Sequence, residues 1–86
     1  METRVAVVGI IVEKEEAVLK LNNVLHEYNS YIIGRMGVPY RTKNINVISI
    51  AIDAPGDIIN AMSGKIGRID GVSATTAYSK PVAKNA

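Results

Sequence analysis

The stretch from Tyr31 to Ile52 reads YIIGRMGVPYRTKNINVISIAI, and how it folds decides the architecture of the 86-residue chain. From Ile45 to Ile52 it alternates Ile48, Ile50 and Ile52 against Val47, Ser49 and Ala51, which predicts a strand with one core face. The first part, roughly Tyr31 to Gly37, is apolar and strand-like. Val38-Pro39 is expected to end it, because proline donates nothing to a ladder and restricts the residue before it. The polar Tyr40 to Asn44 then connects two antiparallel strands as a hairpin. Within the first of them Gly34 and Gly37 flank Arg35, and two readings stay open. The glycines allow a bulge or close packing between subunits, with Arg35 paired to an acid. Alternatively they admit a ligand, and Arg35, Tyr40 and Arg41 present donors to its carboxylate or phosphate. Either way Arg35 is expected on the sheet face turned away from the helices.

Upstream, Arg4 to Val12 (RVAVVGIIV) is rich in valine and isoleucine and too short for a stable helix. Both of its alternating sets are apolar, which predicts a central strand covered on both faces. From Lys14 to about Asn29, Ala17, Val18, Leu21, Val24, Leu25 and Tyr28 recur at helical spacing and form one stripe. Glu13, Glu15 and Glu16 stand where the positive end of the helix dipole favours acids, and Asn29-Ser30 stops the helix. Downstream, Pro55-Gly56-Asp57 opens a second helix with Asp57 as its cap, carrying Ile58, Ile59, Met62, Ile66 and Ile69. Asp70-Gly71 turns the chain into a last strand, Val72 to Tyr78.

The order strand, helix, strand, strand, helix, strand is that of an α+β ferredoxin-like βαββαβ sandwich: a four-stranded antiparallel sheet with both helices on one face. Strands one and three lie together in the middle. Residues 1–80 are expected to form a single domain and 81–86 a loose C-terminal tail. The face without helices exposes valine, isoleucine, alanine and tyrosine, so a homo-oligomer, dimer or tetramer, is expected to cover it.

Composition narrows the function. A chain of this length buries only about 60 to 65% of its unfolded surface, so help from a partner is expected. Without cysteine there is no disulfide, thiolate metal site or cysteine nucleophile. A formal charge of +2, with both signs mixed along the chain, makes no concentrated patch for nucleic-acid backbone. The longest apolar run, Val5 to Val12, is too short to span a membrane, and a cytoplasmic protein is expected.

The runs GRMGVPY (Gly34 to Tyr40) and INVISIAIDAPGDIINAMSGKIGRIDGVSATTAYSK (Ile45 to Lys80) resemble small stand-alone proteins described as regulators of the iron-only hydrogenase system. The most specific pieces are Gly34-Arg35-Met36-Gly37 with Pro39-Tyr40, and Ser63-Gly64-Lys65-Ile66-Gly67 leading into Gly71-Val72-Ser73. The resemblance implies a fold of the ACT type, similar to the C-terminal domain of the nickel-responsive repressor, and a regulatory or sensory role. Those repressors hold metal with several histidines and a cysteine and bind DNA through an N-terminal ribbon-helix-helix. This chain has one histidine, His26, no cysteine, and only Met1 to Thr3 before its first strand, so neither nickel sensing nor direct DNA binding is expected. The resemblance also implies a small effector near the end of the first strand, at a subunit interface. Here that loop, Val12-Glu13-Lys14-Glu15, is acidic and lacks Asp-x-Pro-Gly, which disfavours a free amino acid.

Other constellations carry little chemistry. Gly64-Lys65-Ile66-Gly67-Arg68 lies at the negative end of a helix and lacks the Gly-Lys-Ser/Thr ending of a phosphate loop; its glycines, with Gly71, read as helix stops and its cations as dipole partners. His26 reads as a solvated surface residue, with no second ligand near it. No spacing suggests a nucleophile and base, or an acid/base pair of carboxylates. The strand order also suits an RNA-recognition domain, but there is no Phe or Trp to stack bases. The expectation is a non-enzymatic, oligomeric module without cofactor or metal, binding a small effector or protein partner through Gly34, Arg35, Gly37, Tyr40 and Arg41. A scaffold that oligomerises and binds a larger protein is the alternative.

Overall fold

A computed structural model describes residues 2–80; the predicted tail, 81–86, lies outside them. The elements are β1 (Arg4–Val12), α1 (Ala17–Glu27), β2 (Ile32–Tyr40), β3 (Ile45–Ala54), α2 (Gly56–Gly67) and β4 (Val72–Tyr78). Single 3-10 turns, Asn29–Tyr31 and Arg41–Lys43, stand on either side of β2. All pairings are antiparallel and the strand order is β2-β3-β1-β4, so the two middle strands are β1 and β3 as the connectivity requires.

The core is the layer between the sheet and the helices. Ala6, Val8, Ile10 and Val12 of β1 and Ile48, Ile50, Ile52 and Ala54 of β3 are buried there. The α1 stripe meets them with Leu21 and Leu25, and α2 with Ile59, Met62 and Ile66. Each large side chain so enclosed is worth about 1.5–3 kcal/mol in apolar transfer. No buried polar side chain is left without a hydrogen bond among the described residues. Between the helices, Lys65 of α2 reaches Glu27 of α1 at 2.5 Å and stands over the Tyr28 ring.

Several expectations are corrected in detail. β1 is covered by the chain's own helices on one face only, because both helices lie on that side. Val5 and Val7 are consequently 43% and 45% exposed. β2 does not stop at Val38-Pro39 but runs to Tyr40. Pro39 is tolerated because β2 is an edge strand, where a missing N–H need not break the ladder. Helix α1 starts at Ala17, after the acidic run, and its first turn holds no acid. Pro55 is the N-cap of α2, and Asp57 sits one step inside, accepting only from the N–H of Ile58.

Two backbone features set the geometry of the sheet ends. Gly71 has φ +84, and a Cβ there would come within 2.6 Å of Lys14 Cγ, so glycine is required on both counts. Its carbonyl accepts from the N–H of Glu13 at 2.7 Å, extending the β1–β4 pairing by one step. On β2, the register slips between Ile32 and Gly34, a bulge that leaves Ile33 unpaired and 64% exposed.

The face without helices is apolar. Val5 and Val7 of β1, Val47 of β3, and Met36, Val38 and Tyr40 of β2 lie on it by register and are each at least 40% exposed. Asp53, at one end, is the only charged side chain that the strand registers place there.

Candidate functional site

Strand β2 ends at Tyr40, and the turn Arg41–Lys43 passes the chain to β3 through Asn44, whose φ of +55 is one that asparagine tolerates better than most residues. In the sheet behind this turn, Val12, Asn46 and Pro39 form one row across β1, β3 and β2, on the side of the helices. Glu15, from the β1–α1 connection, faces the same space. Together with Tyr40, Arg41, Asn44 and Ile45 they enclose an open cavity of about 220 Å³.

This geometry divides the predicted site. Tyr40 and Arg41 line the cavity, whereas Gly34, Arg35 and Gly37 do not. Arg35 stands opposite Ile50, a core-facing residue, so its side chain leaves the sheet on the helix side. There its Nη2 donates to Asn22 Oδ1 of α1 at 2.8 Å. The expectation that Arg35 faces away from the helices is therefore wrong. The bulge at Ile32–Gly34 resets the alternation of β2, and no sequence period shows that. Gly34 and Gly37 are not demanded by crowding inside the chain: a Cβ at either would meet its nearest neighbour at 3.8 Å, an ordinary contact.

Asn44, Ile45 and Asn46 were not singled out by sequence; the signal available was a lone asparagine closing a polar turn. The cavity presents a carboxylate, a guanidinium, a phenol and two carboxamides against Val12, Ile45 and Pro39. Such a lining offers both hydrogen-bond donors and acceptors. Nearby, Lys14 Nζ pairs with Asp70 Oδ2 at 2.5 Å, joining the β1–α1 connection to the turn before β4. This bond holds the Asp70 carboxyl below its ordinary value and the Lys14 ammonium above its own. The pair lies outside the cavity lining. Among the described residues no three His, Cys, Asp or Glu side chains gather as a metal site, and no helix is long and apolar enough to cross a membrane.

A ferredoxin-like sandwich of four antiparallel strands and two helices, with a small cavity at the β1–α1 end, defines the class: a small α+β domain. Residues 4–76 match the family described as "TM1266-like: Iron-only hydrogenase system regulator, putative", and the chain belongs to that family. The structure of the uncharacterized protein TM1266 from Thermotoga maritima is similar at 35% identity and a TM-score of 0.88, covering 92% of this chain and all (100%) of that one. More distant likenesses show the fold alone. A formyltetrahydrofolate deformylase from Pseudomonas putida KT2440 aligns at 10% identity and TM-score 0.61, over 85% of this chain and 28% of the enzyme. A protein of unknown function from Galdieria sulphuraria aligns at 11% identity and TM-score 0.63, over 96% of this chain and 49% of that one. No curated protein matches.

Proposed function

We propose that the chain is a non-enzymatic regulatory module of the iron-only hydrogenase system. It works as a homo-oligomer whose open sheet face is covered by a second copy, with a small charged effector in the cavity at the rim of that face. The carrying observation is the position of Tyr40. It lines the cavity and, opposite Ile45, belongs by register to the apolar open face. A molecule seated there contacts Tyr40, and a second copy on the open face would contact it from the other side, so Tyr40 couples occupancy to assembly. A second copy suits the face because it is apolar and almost free of charge, so two such faces meet without burying unpaired ions. The cavity is smaller than the ~300–1,000 Å³ typical of drug-sized ligands, which favours a metabolite-sized effector held by Arg41 and the carboxamides.

Light scattering with a thermal-shift screen of metabolites tests this. A ligand at about 100 times its dissociation constant adds roughly 2.7 kcal/mol, readable as a shift in Tm. The expected result is an oligomer, disrupted by Val7→Lys, that one class of small charged molecule stabilises and that Arg41→Ala desensitises. A monodisperse monomer at micromolar concentration refutes the assembly. An oligomer that no small molecule shifts, yet which co-purifies with a larger protein, favours the scaffold.

A further inference from the structure

A second surface, independent of the open face, is the edge of β4 away from β1, which pairs with no other strand among the described residues. The N–H of Ser79 donates to the Val5 carbonyl at 2.9 Å and that of Glu13 to the Gly71 carbonyl at 2.7 Å. Both pairs continue the β1–β4 register, in which Ala6 faces Tyr78 and Val12 faces Val72. Antiparallel ladders alternate residues that bond across with residues that point away. Ser73, Thr75 and Ala77 therefore bond to β1, while Ala74, Thr76 and Tyr78 turn both N–H and C=O outward. Among the described residues none of these outward groups has a partner in another element.

The two sheet edges differ in how they are guarded. β2 carries a bulge, Arg35 and Pro39, devices that discourage pairing with another strand. β4, VSATTAY, has no charge, no proline and no break in register. Above it, α2 turns a flank of small residues the same way. Asn60 on that flank accepts from the Tyr78 hydroxyl at 2.6 Å, and Gly64 and Gly67 have nothing within 4 Å of an added Cβ. The opposite flank is the one tied to α1 through Lys65.

We infer that β4 pairs antiparallel with β4 of a second copy, about a two-fold axis at Thr76, joining two sheets into one. In this register Thr76 meets Thr76 of the partner subunit, and Ala74 meets Tyr78 of the partner subunit. Each such pair exchanges two hydrogen bonds, so the outward groups of Ala74, Thr76 and Tyr78 are all satisfied and none is left over. A second copy is the occupant because the same axis brings the two small-residue flanks of α2 together. The edge and the open face do not overlap, so both can be used in one assembly of four.

The test is native mass spectrometry of the full chain with amide hydrogen exchange. The amides of Ala74, Thr76 and Tyr78 are expected to exchange at least about tenfold more slowly in the assembly than after dilution. Thr76→Pro removes an outward donor that β1 does not use, and is expected to halve the mass of the assembly. Gly64→Lys places a charge on the α2 flank where the subunit has room, and is expected to do the same; it decides the matter if Thr76→Pro fails to fold. Val7→Lys, on the open face, leaves the three amides protected, which separates the two interfaces. Unprotected amides in the wild-type assembly, or a folded Gly64→Lys variant of unchanged mass with the amides still protected, overturns the pairing.

Discussion

The guanidinium of Arg35 is bonded to Asn22 across the sheet-to-helix gap, at 2.8 Å. This ties edge strand β2 to α1 at an exposed position and withdraws Arg35 from the open face. Arg35→Ala is expected to cost about 0.5–1.5 kcal/mol, the net worth of one such hydrogen bond, in urea unfolding. Its oligomer mass and effector response should match the wild type, and an altered response would return Arg35 to the site.

Gly71 is the turn residue with the least freedom to change. Alanine there takes a φ of +84 and drives its Cβ toward Lys14, so Gly71→Ala should lose about 1–3 kcal/mol in chemical denaturation. A loss no larger than that of a surface substitution would show that the turn relaxes.

Met62 is fully buried at the centre of α2's inner face. Met62→Ala should destabilise by about 2–5 kcal/mol through lost contacts and a cavity. Met62→Asp should leave no cooperative unfolding transition by circular dichroism, since it places a charge among Ile and Leu with no partner.

The Lys14–Asp70 pair gives a signed pH dependence. Asp70 is held below its ordinary 3.8 first by the hydrogen bond from Lys14 and then by its charge. Its contribution is present above that ordinary value and is lost as pH falls through the lower folded-state value. Lys14 is raised above 10.5 by the same partner, so its contribution holds below 10.5 and fades as pH rises through the folded value. Both groups are exposed, and salt should weaken the effect. An NMR titration of the Asp70 carboxyl should show a midpoint below 3.8 that returns toward it in Lys14→Met.

Much of the fold was legible because its signals are local. The bounds of β1 and β4, the alternation of β3 and the stripes of both helices follow from side-chain periods that core burial imposes along the chain. The resemblance carried by Gly34 to Tyr40 and Ile45 to Lys80 led to the right family. The lining of the candidate cavity was legible only in part. Tyr40 and Arg41 line the cavity, but Asn44 and Asn46 carry no pattern that marks them before the turn is folded.

By itself, then, the sequence determined which segments are strands and helices, their order, and that one sheet face would be left apolar. Only the tertiary structure decided which side each β2 residue takes and which edge stays open. A strand's side chains alternate with period two, so the single extra residue at the Ile32–Gly34 bulge reverses everything after it. That slip sends Arg35 to the helices and leaves Met36, Val38 and Tyr40 on the open face. The unguarded edge of β4 has the same origin, since which backbone groups point outward is settled by the register with β1 and not by any residue's identity.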